Sequence, residues 1–176
     1  MNRKISVKYQ GKFVKTIEEE INGRIYEKAI IPDSVVVFAF NRPDELILIK
    51  EKRVWEEPQI KIKMVTGFYE HQYTLEENVN RELQEEIGKK ADKIVLFDLS
   101  KKQGIITENK YFAVAYNLSE SKLFNEDGDE NFLEIIKMPI DDLKNLVLSR
   151  NWNVSETGFV FLRLYHEIKS GKFCFE

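Results

Sequence analysis

Hydrophobic and polar residues change period several times along the chain, and each change marks an element. From Lys4 to Lys15 the two kinds alternate weakly, broken at Gly11, which predicts strand. Thr16–Ile21 and Arg24–Ile30 flank Asn22-Gly23, the dipeptide preferred in type I′ turns, and predict a β-hairpin. Pro32-Asp33 leads into an apolar run of strand length, Ser34–Phe40, which Asn41-Arg42-Pro43-Asp44 turns into a second, Leu46–Glu51. Gln59-Ile60-Lys61-Ile62-Lys63 alternates as a strand would, while residues 56–63 as a whole leave the element type open. Strands are expected at Lys93–Asp98 and Lys110–Tyr116, around a loop at Lys101–Asn109, and again at Leu133–Lys137. Pro139-Ile140-Asp141-Asp142 opens a helix to about Leu148, with proline in the tolerated first turn. Ser155-Glu156 begins a last helix carrying Val160, Leu162, Leu164 and Ile168, which Gly171 closes.

One helix stands out in the middle of this strand-rich chain. Leu75, Val79, Leu83 and Ile87 recur every four residues and form an apolar stripe. Thr74, with Glu77 three residues on, reads as a capping box, and Gly88 stands where a left-handed C-cap belongs. On this helix Glu82, Glu85 and Glu86 stand at i, i+3 and i+4, within an arc of about 100°. Like charges at those spacings repel, and a helix gains nothing from holding them together. A bound divalent cation removes the conflict, because hard ions prefer oxygen ligands of this kind. The blander alternative is a solvated face laced with ion pairs such as Arg81 with Glu85 at i, i+4.

Gly67 upstream, in a stretch Thr66 to Tyr73 read as loop, decides between these alternatives. Gly67, five residues, Tyr73, seven residues, then Arg81-Glu82-Leu83-Gln84-Glu85-Glu86-Ile87-Gly88 resembles the signature box of the Nudix hydrolases. Two positions depart from it. The first glutamate of the box is Tyr73 here, and Lys89 replaces the apolar residue that usually follows the last glycine. Further segments are similar to the ADP-ribose pyrophosphatase branch: the basic strand Ile47–Arg53, Val65-Thr66-Gly67 in place of Pro-Ala-Gly, and Pro32–Val37 as first core strand. The resemblance implies an α/β fold, a Nudix α/β/α sandwich with mixed sheets, preceded by an N-terminal β-hairpin arm. Residues 1–30 would form that arm, a dimerisation element, and residues 31–176 the hydrolase domain.

The same resemblance assigns roles. Mg²⁺ or Mn²⁺ would be held by Glu82, Glu85 and Glu86 with a backbone carbonyl at Thr66 or Gly67. Arg81 would orient these carboxylates. The general base would be a box glutamate such as Glu82, or Glu130 in the acidic run Asn125–Glu130, which also reads as a solvated loop. Arg53 is a candidate phosphate contact, since guanidinium matches phosphate geometry, with a salt bridge to Glu51 or Glu56 as its alternative. Trp55 is a candidate for stacking on a nucleobase, or a core or interface residue. His71 and His166 read as ordinary polar positions. Tyr73 poses the sharpest question, because a phenol of pKa about 10 is no carboxylate at neutral pH. If the missing glutamate only braced Arg81, Glu70 or Glu77 can replace it; if it belonged to the metal site, the domain would bind nucleotides without hydrolysing them.

Composition narrows the field further. A chain of 176 residues, 43% hydrophobic and 32% charged, fits one domain with a real core. Net charge of −3 advertises no nucleic-acid surface. Cys174 is the single cysteine, so an intrachain disulfide is excluded, and no apolar run exceeds strand length. These readings point to a cytoplasmic protein off the membrane. The implied substrate is a small nucleotide, a nucleoside diphosphate linked to another moiety such as ADP-ribose or a nucleotide sugar. The implied assembly is a homodimer.

Overall fold

The computed structural model describes residues 3–53, 56–57, 59–123, 132–149 and 155–176. Ten strands and three helices lie among these residues: β1 Arg3–Gln10, β2 Lys15–Ile21, β3 Arg24–Ile30, β4 Ser34–Arg42, β5 Glu45–Lys52, β6 Ile60–Lys63, β7 Val65–Phe68, α1 Leu75–Ile87, β8 Lys89–Gln103, β9 Ile106–Glu120, β10 Phe132–Pro139, α2 Ile140–Leu148 and α3 Ser155–Lys169. The strands join in the order β1-β2-β3-β9-β4-β5-β10, with β6 on β5, β7 on β4 and β8 on β9. The pairing of β9 with β4 is parallel and that of β4 with β5 and β7 antiparallel, so the sheet is mixed.

Strand β4 shows why its sequence is unbroken by polar residues: it is buried on both faces. Val35, Val37 and Ala39 pack with Val79, Leu83 and Ile87 of α1. Val36, Phe38 and Phe40 face the other way, against Ile140 and Leu143 of α2 and Val160, Phe161 and Leu164 of α3. The result is the α/β/α sandwich expected. Burying an apolar side chain of this size stabilises by about 1.5–3 kcal/mol, so the stripe of α1 fixes that helix, and its carboxylates, to the sheet.

Local signals are realised in detail at α1. Thr74 accepts the Glu77 amide while Glu77 accepts the Thr74 amide, and Gly88 takes the left-handed conformation at φ 68°, its N–H reaching the Leu83 carbonyl. The Asn22-Gly23 turn also has both residues at positive φ, 50° and 82°, as a type I′ turn requires.

Three expectations are corrected. The segment Lys4–Lys15 is not one strand: β1 ends at Gln10, a turn closed by the Gly11 N–H to Val14 follows, and Lys15 opens β2. Thr66 is not loop but lies in β7, whose Val65 and Gly67 face inward as partners of Val37 and Val35. The loop expected at Lys101–Asn109 is a long hairpin, β8 and β9, with residues 104–105 between the strands. Lys102 within that stretch finds a distant partner, Glu156 of α3, at 2.9 Å.

The first three strands attach to the rest of the sheet through Ala29 and Ile30 of β3, beside Ile106 and Thr107 of β9. Registers place Ile5, Glu19 and Tyr26 on one face, with Val7, Ile17 and Lys28. On that face Ile5, Val7 and Tyr26 are exposed, while Glu19 is buried between Arg3 and Lys28.

Candidate active site at the carboxylate face of α1

Glu82 lies in the angle between α1 and β7. It is 8% exposed, and a methyl group added at Gly67 would overlap its carboxylate, so the glycine is what lets the helix approach the strand so closely. Burial, reinforced by the neighbouring Glu86 and Glu85, pushes the Glu82 carboxyl up to about 7, against the pull of Arg81 and Lys63. Burial raises Glu86 as well, with Lys63 and the Thr66 amide acting in the opposite direction. Glu86 Oε2 accepts the Thr66 N–H at 3.1 Å, and Glu86 Oε1 lies 3.2 Å from Lys63 Nζ.

Arg81 stands beside this group and holds it from the outer side. It pairs with Glu70 and lies 3.9 Å from Glu82 and 3.8 Å from Glu85. Its guanidinium also covers the Tyr73 ring at 5.5 Å. Arg81 Nε is buried without a hydrogen-bond partner among the described residues. Glu70 therefore pairs with the arginine three residues before the position where the box has its first glutamate. Glu77 is committed to the helix cap.

Residues on β5 and β6 complete the surroundings. Arg53 pairs with Glu51 and with Glu56 at 2.9 Å, so the salt-bridge alternative describes its state here. Lys63 joins Glu51 to Glu86 and was not singled out from the sequence; the signal was its place on the α1-facing side of the alternating strand before Gly67. Two cavities open nearby. One of about 380 Å³ is lined by Glu51, Arg53, Lys61, Lys63, Thr66 and Lys110 among others. The other, about 510 Å³, is lined by Glu85, Glu86, Gly88, Lys122, Phe132 and Ile135 among others. Trp55 and Glu130, two residues singled out from the sequence, lie outside the described residues.

Among the described residues, no three His, Cys, Asp or Glu side chains converge ready to enclose an ion. Each box carboxylate is engaged elsewhere: Glu82 against Gly67, Glu85 toward Arg81, Glu86 with Lys63 and Thr66. The donor chemistry nevertheless fits a hard divalent ion. Three carboxylate groups share one helix face, one of them buried with its charge unfavourable.

A helix whose carboxylates and preceding glycine meet across a mixed sheet defines a family. A model of the NUDIX domain matches residues 31–157, and the chain belongs to the Nudix family. Among solved structures it is similar to one titled "Crystal structure of ADP compounds hydrolase", with a TM-score of 0.79 at 18% identity over 96% of this chain and 93% of that one. A comparison with curated proteins finds no match. Among the described residues, no helix is long and apolar enough to cross a membrane.

Proposed function

We propose that this chain hydrolyses the phosphoanhydride of a nucleoside diphosphate linked to another moiety, with ADP-ribose or a nucleotide sugar as substrate. The products would be a nucleoside monophosphate and a phosphorylated fragment. The observation that carries this reading is the crowding of Glu82 against Gly67 with Glu85 and Glu86 beside it on the same helix, where burial and mutual repulsion leave negative charge unbalanced. Glu82, Glu85 and Glu86 would hold Mg²⁺ or Mn²⁺, with the backbone at Thr66 or Gly67 alongside. A bound ion supplies charge neutralisation at the diphosphate and a more acidic water. The chain's own part is positional. Arg81 keeps the carboxylate face oriented through Glu70, and a box glutamate such as Glu82 would accept a proton from the attacking water. Glu130 is the alternative base. Lys61, Lys63, Lys110 and Arg53 line the 380 Å³ cavity together with Glu51, Glu56 and Glu108, and would meet a phosphorylated moiety there by exchanging these carboxylate partners for it.

The titled neighbour, described as acting on ADP compounds, supports the substrate class by likeness of fold. Tyr73 favours a second reading, a nucleotide-binding module with weakened catalysis. Both are separated by incubating the protein with Mg²⁺ or Mn²⁺ and ADP-ribose, nucleotide sugars, dinucleoside polyphosphates and capped RNA, beside Glu86→Gln. Turnover of an ADP-linked substrate that disappears in the variant supports the enzyme. Nucleotide binding without turnover or metal dependence supports the module.

The arm, residues 1–30, is proposed as the dimerisation element and residues 31–176 as the catalytic domain. Its exposed apolar face, Ile5, Val7 and Tyr26, and the single-partner edge of β1 favour pairing with a second copy. Sedimentation at micromolar concentration is expected to give a dimer; a monomer alone would remove the claim.

A further inference from the structure

Lys63 is a nearly buried ammonium set between two cavities. Its Nζ lies 3.0 Å from Glu51, 3.2 Å from Glu86 and 3.1 Å from Thr66 Oγ1, using the three donors an ammonium has. Strand pairing puts it there. Lys63 stands opposite Ile49 and Lys61 opposite Glu51, so all four side chains share the sheet face toward α1, the helix that carries Glu86. Lys63 and Glu51 line the 380 Å³ cavity and Glu86 lines the 510 Å³ one, so the Lys63–Glu86 pair joins the two.

The ammonium and a divalent ion would want the same oxygen. Lys63 satisfies Glu86 with one charge, whereas a hard divalent ion brings two and gathers several oxygens at once. Lys63 has a second carboxylate, Glu51, already within reach, so it can release Glu86 without losing an ionic partner. Held within ion-pair distance of both carboxylates, Lys63 competes for Glu86 as a cation.

Resting on the metal-dependent reading above, we infer that Lys63 is a built-in competitor of the divalent ion for Glu86. It holds that carboxylate when no ion is bound and transfers to Glu51 and the adjoining cavity when an ion takes its place. Two consequences follow. The protein alone binds the ion loosely, and the displaced ammonium becomes available to a phosphate in the 380 Å³ cavity. Ion and phosphorylated ligand then favour each other's binding.

The test is a titration with Mn²⁺ alone, reading free Mn²⁺ by electron paramagnetic resonance, on the full chain and three variants. Lys63→Met keeps most of the side-chain volume and removes the charge; its affinity is expected to rise by about tenfold or more. Lys63→Arg keeps the charge and should stay within about threefold of the parent. Glu51→Gln removes the alternative carboxylate, so Lys63 binds Glu86 harder and Mn²⁺ affinity should fall by about threefold or more. Circular dichroism confirms folding of each. Lys63→Met binding no tighter than the parent overturns the inference while leaving the metal reading intact. Should Lys63→Met fail to fold, tighter binding by Glu51→Gln overturns it equally, and weaker binding supports it. If the parent, Lys63→Met and Lys63→Arg all fail to bind Mn²⁺, the metal reading fails and the inference falls with it.

Discussion

Two charged clusters behave in opposite ways. On the α1 side, Glu82, Glu85 and Glu86 share Lys63 and Arg81, cations that Glu51 and Glu70 also claim. Carboxylates outnumber cations, and Glu82 is pushed up to about 7. On the α3 side, Glu156 and Glu108 meet Lys102 and Lys110 in a balanced square. Glu156 lies 2.9 Å from Lys102 and 3.2 Å from Lys110, and Ser100 donates to it at 2.5 Å. Despite its burial, these partners hold the Glu156 carboxyl down at about 2. Burial alone therefore does not mark a site. A cluster whose charge is matched ties elements together, whereas one left in excess is prepared for a further cation.

The largest effect should come from neutralising the unbalanced cluster. Glu82→Gln is expected to lower turnover of an ADP-linked substrate about 10²–10³-fold, the scale of losing an acid–base group. Without divalent ions the same variant should melt higher than the parent, since a repelled charge has gone. Calorimetry beside a kinetic assay checks both; a lower Tm would break the contrast.

Next comes the contact that crowds the cluster. Gly67→Ala forces Glu82 and β7 apart and should cost about 1–3 kcal/mol, measured by denaturant unfolding. A neutral result would mean that the close approach is dispensable.

The balanced cluster should respond in the opposite sense. Glu156→Gln is expected to destabilise by about 1–2 kcal/mol at pH 7, after allowance for its partial exposure. Its folded carboxyl is depressed from 4.5 to about 2, so its contribution is full above pH 4.5 and disappears as pH falls from there toward 2. Parent and variant stabilities should therefore converge across that acid window. Convergence toward high pH instead would reverse the sign assigned here.

The smallest effect concerns Tyr73. Because Glu70 already pairs with Arg81, Tyr73→Glu should change turnover by less than about threefold, while Glu70→Gln should lower it by about tenfold. A large gain in Tyr73→Glu would show that the missing glutamate had been essential.

The contrast also explains what could be read in advance. Helix α1, its capping box, Gly88 and the Asn22-Gly23 turn were legible because each is set by neighbours in sequence. The β4 run was legible because burial on both faces leaves no polar residue in it. Strands β8 and β9 were cut short because Lys101, Lys102 and Glu108 resemble a loop until Glu156, far along the chain, is brought beside Lys102. Among site residues, Arg81 lies 3.9 Å from Glu82 and 3.8 Å from Glu85, neighbours on the same helix. Lys63 was missed because its partners come from three other elements, β5, β7 and α1. Arg53 kept its salt-bridge alternative because Glu51 and Glu56 are sequence neighbours.

The central claim is that the α1 cluster, unlike the α3 cluster, is built for a divalent ion. Direct Mn²⁺ titration of the parent, Glu86→Gln and Glu156→Gln tests it. Binding should weaken at least about tenfold in Glu86→Gln and stay unchanged in Glu156→Gln. Equal affinity in all three, or no binding by the parent, would contradict it.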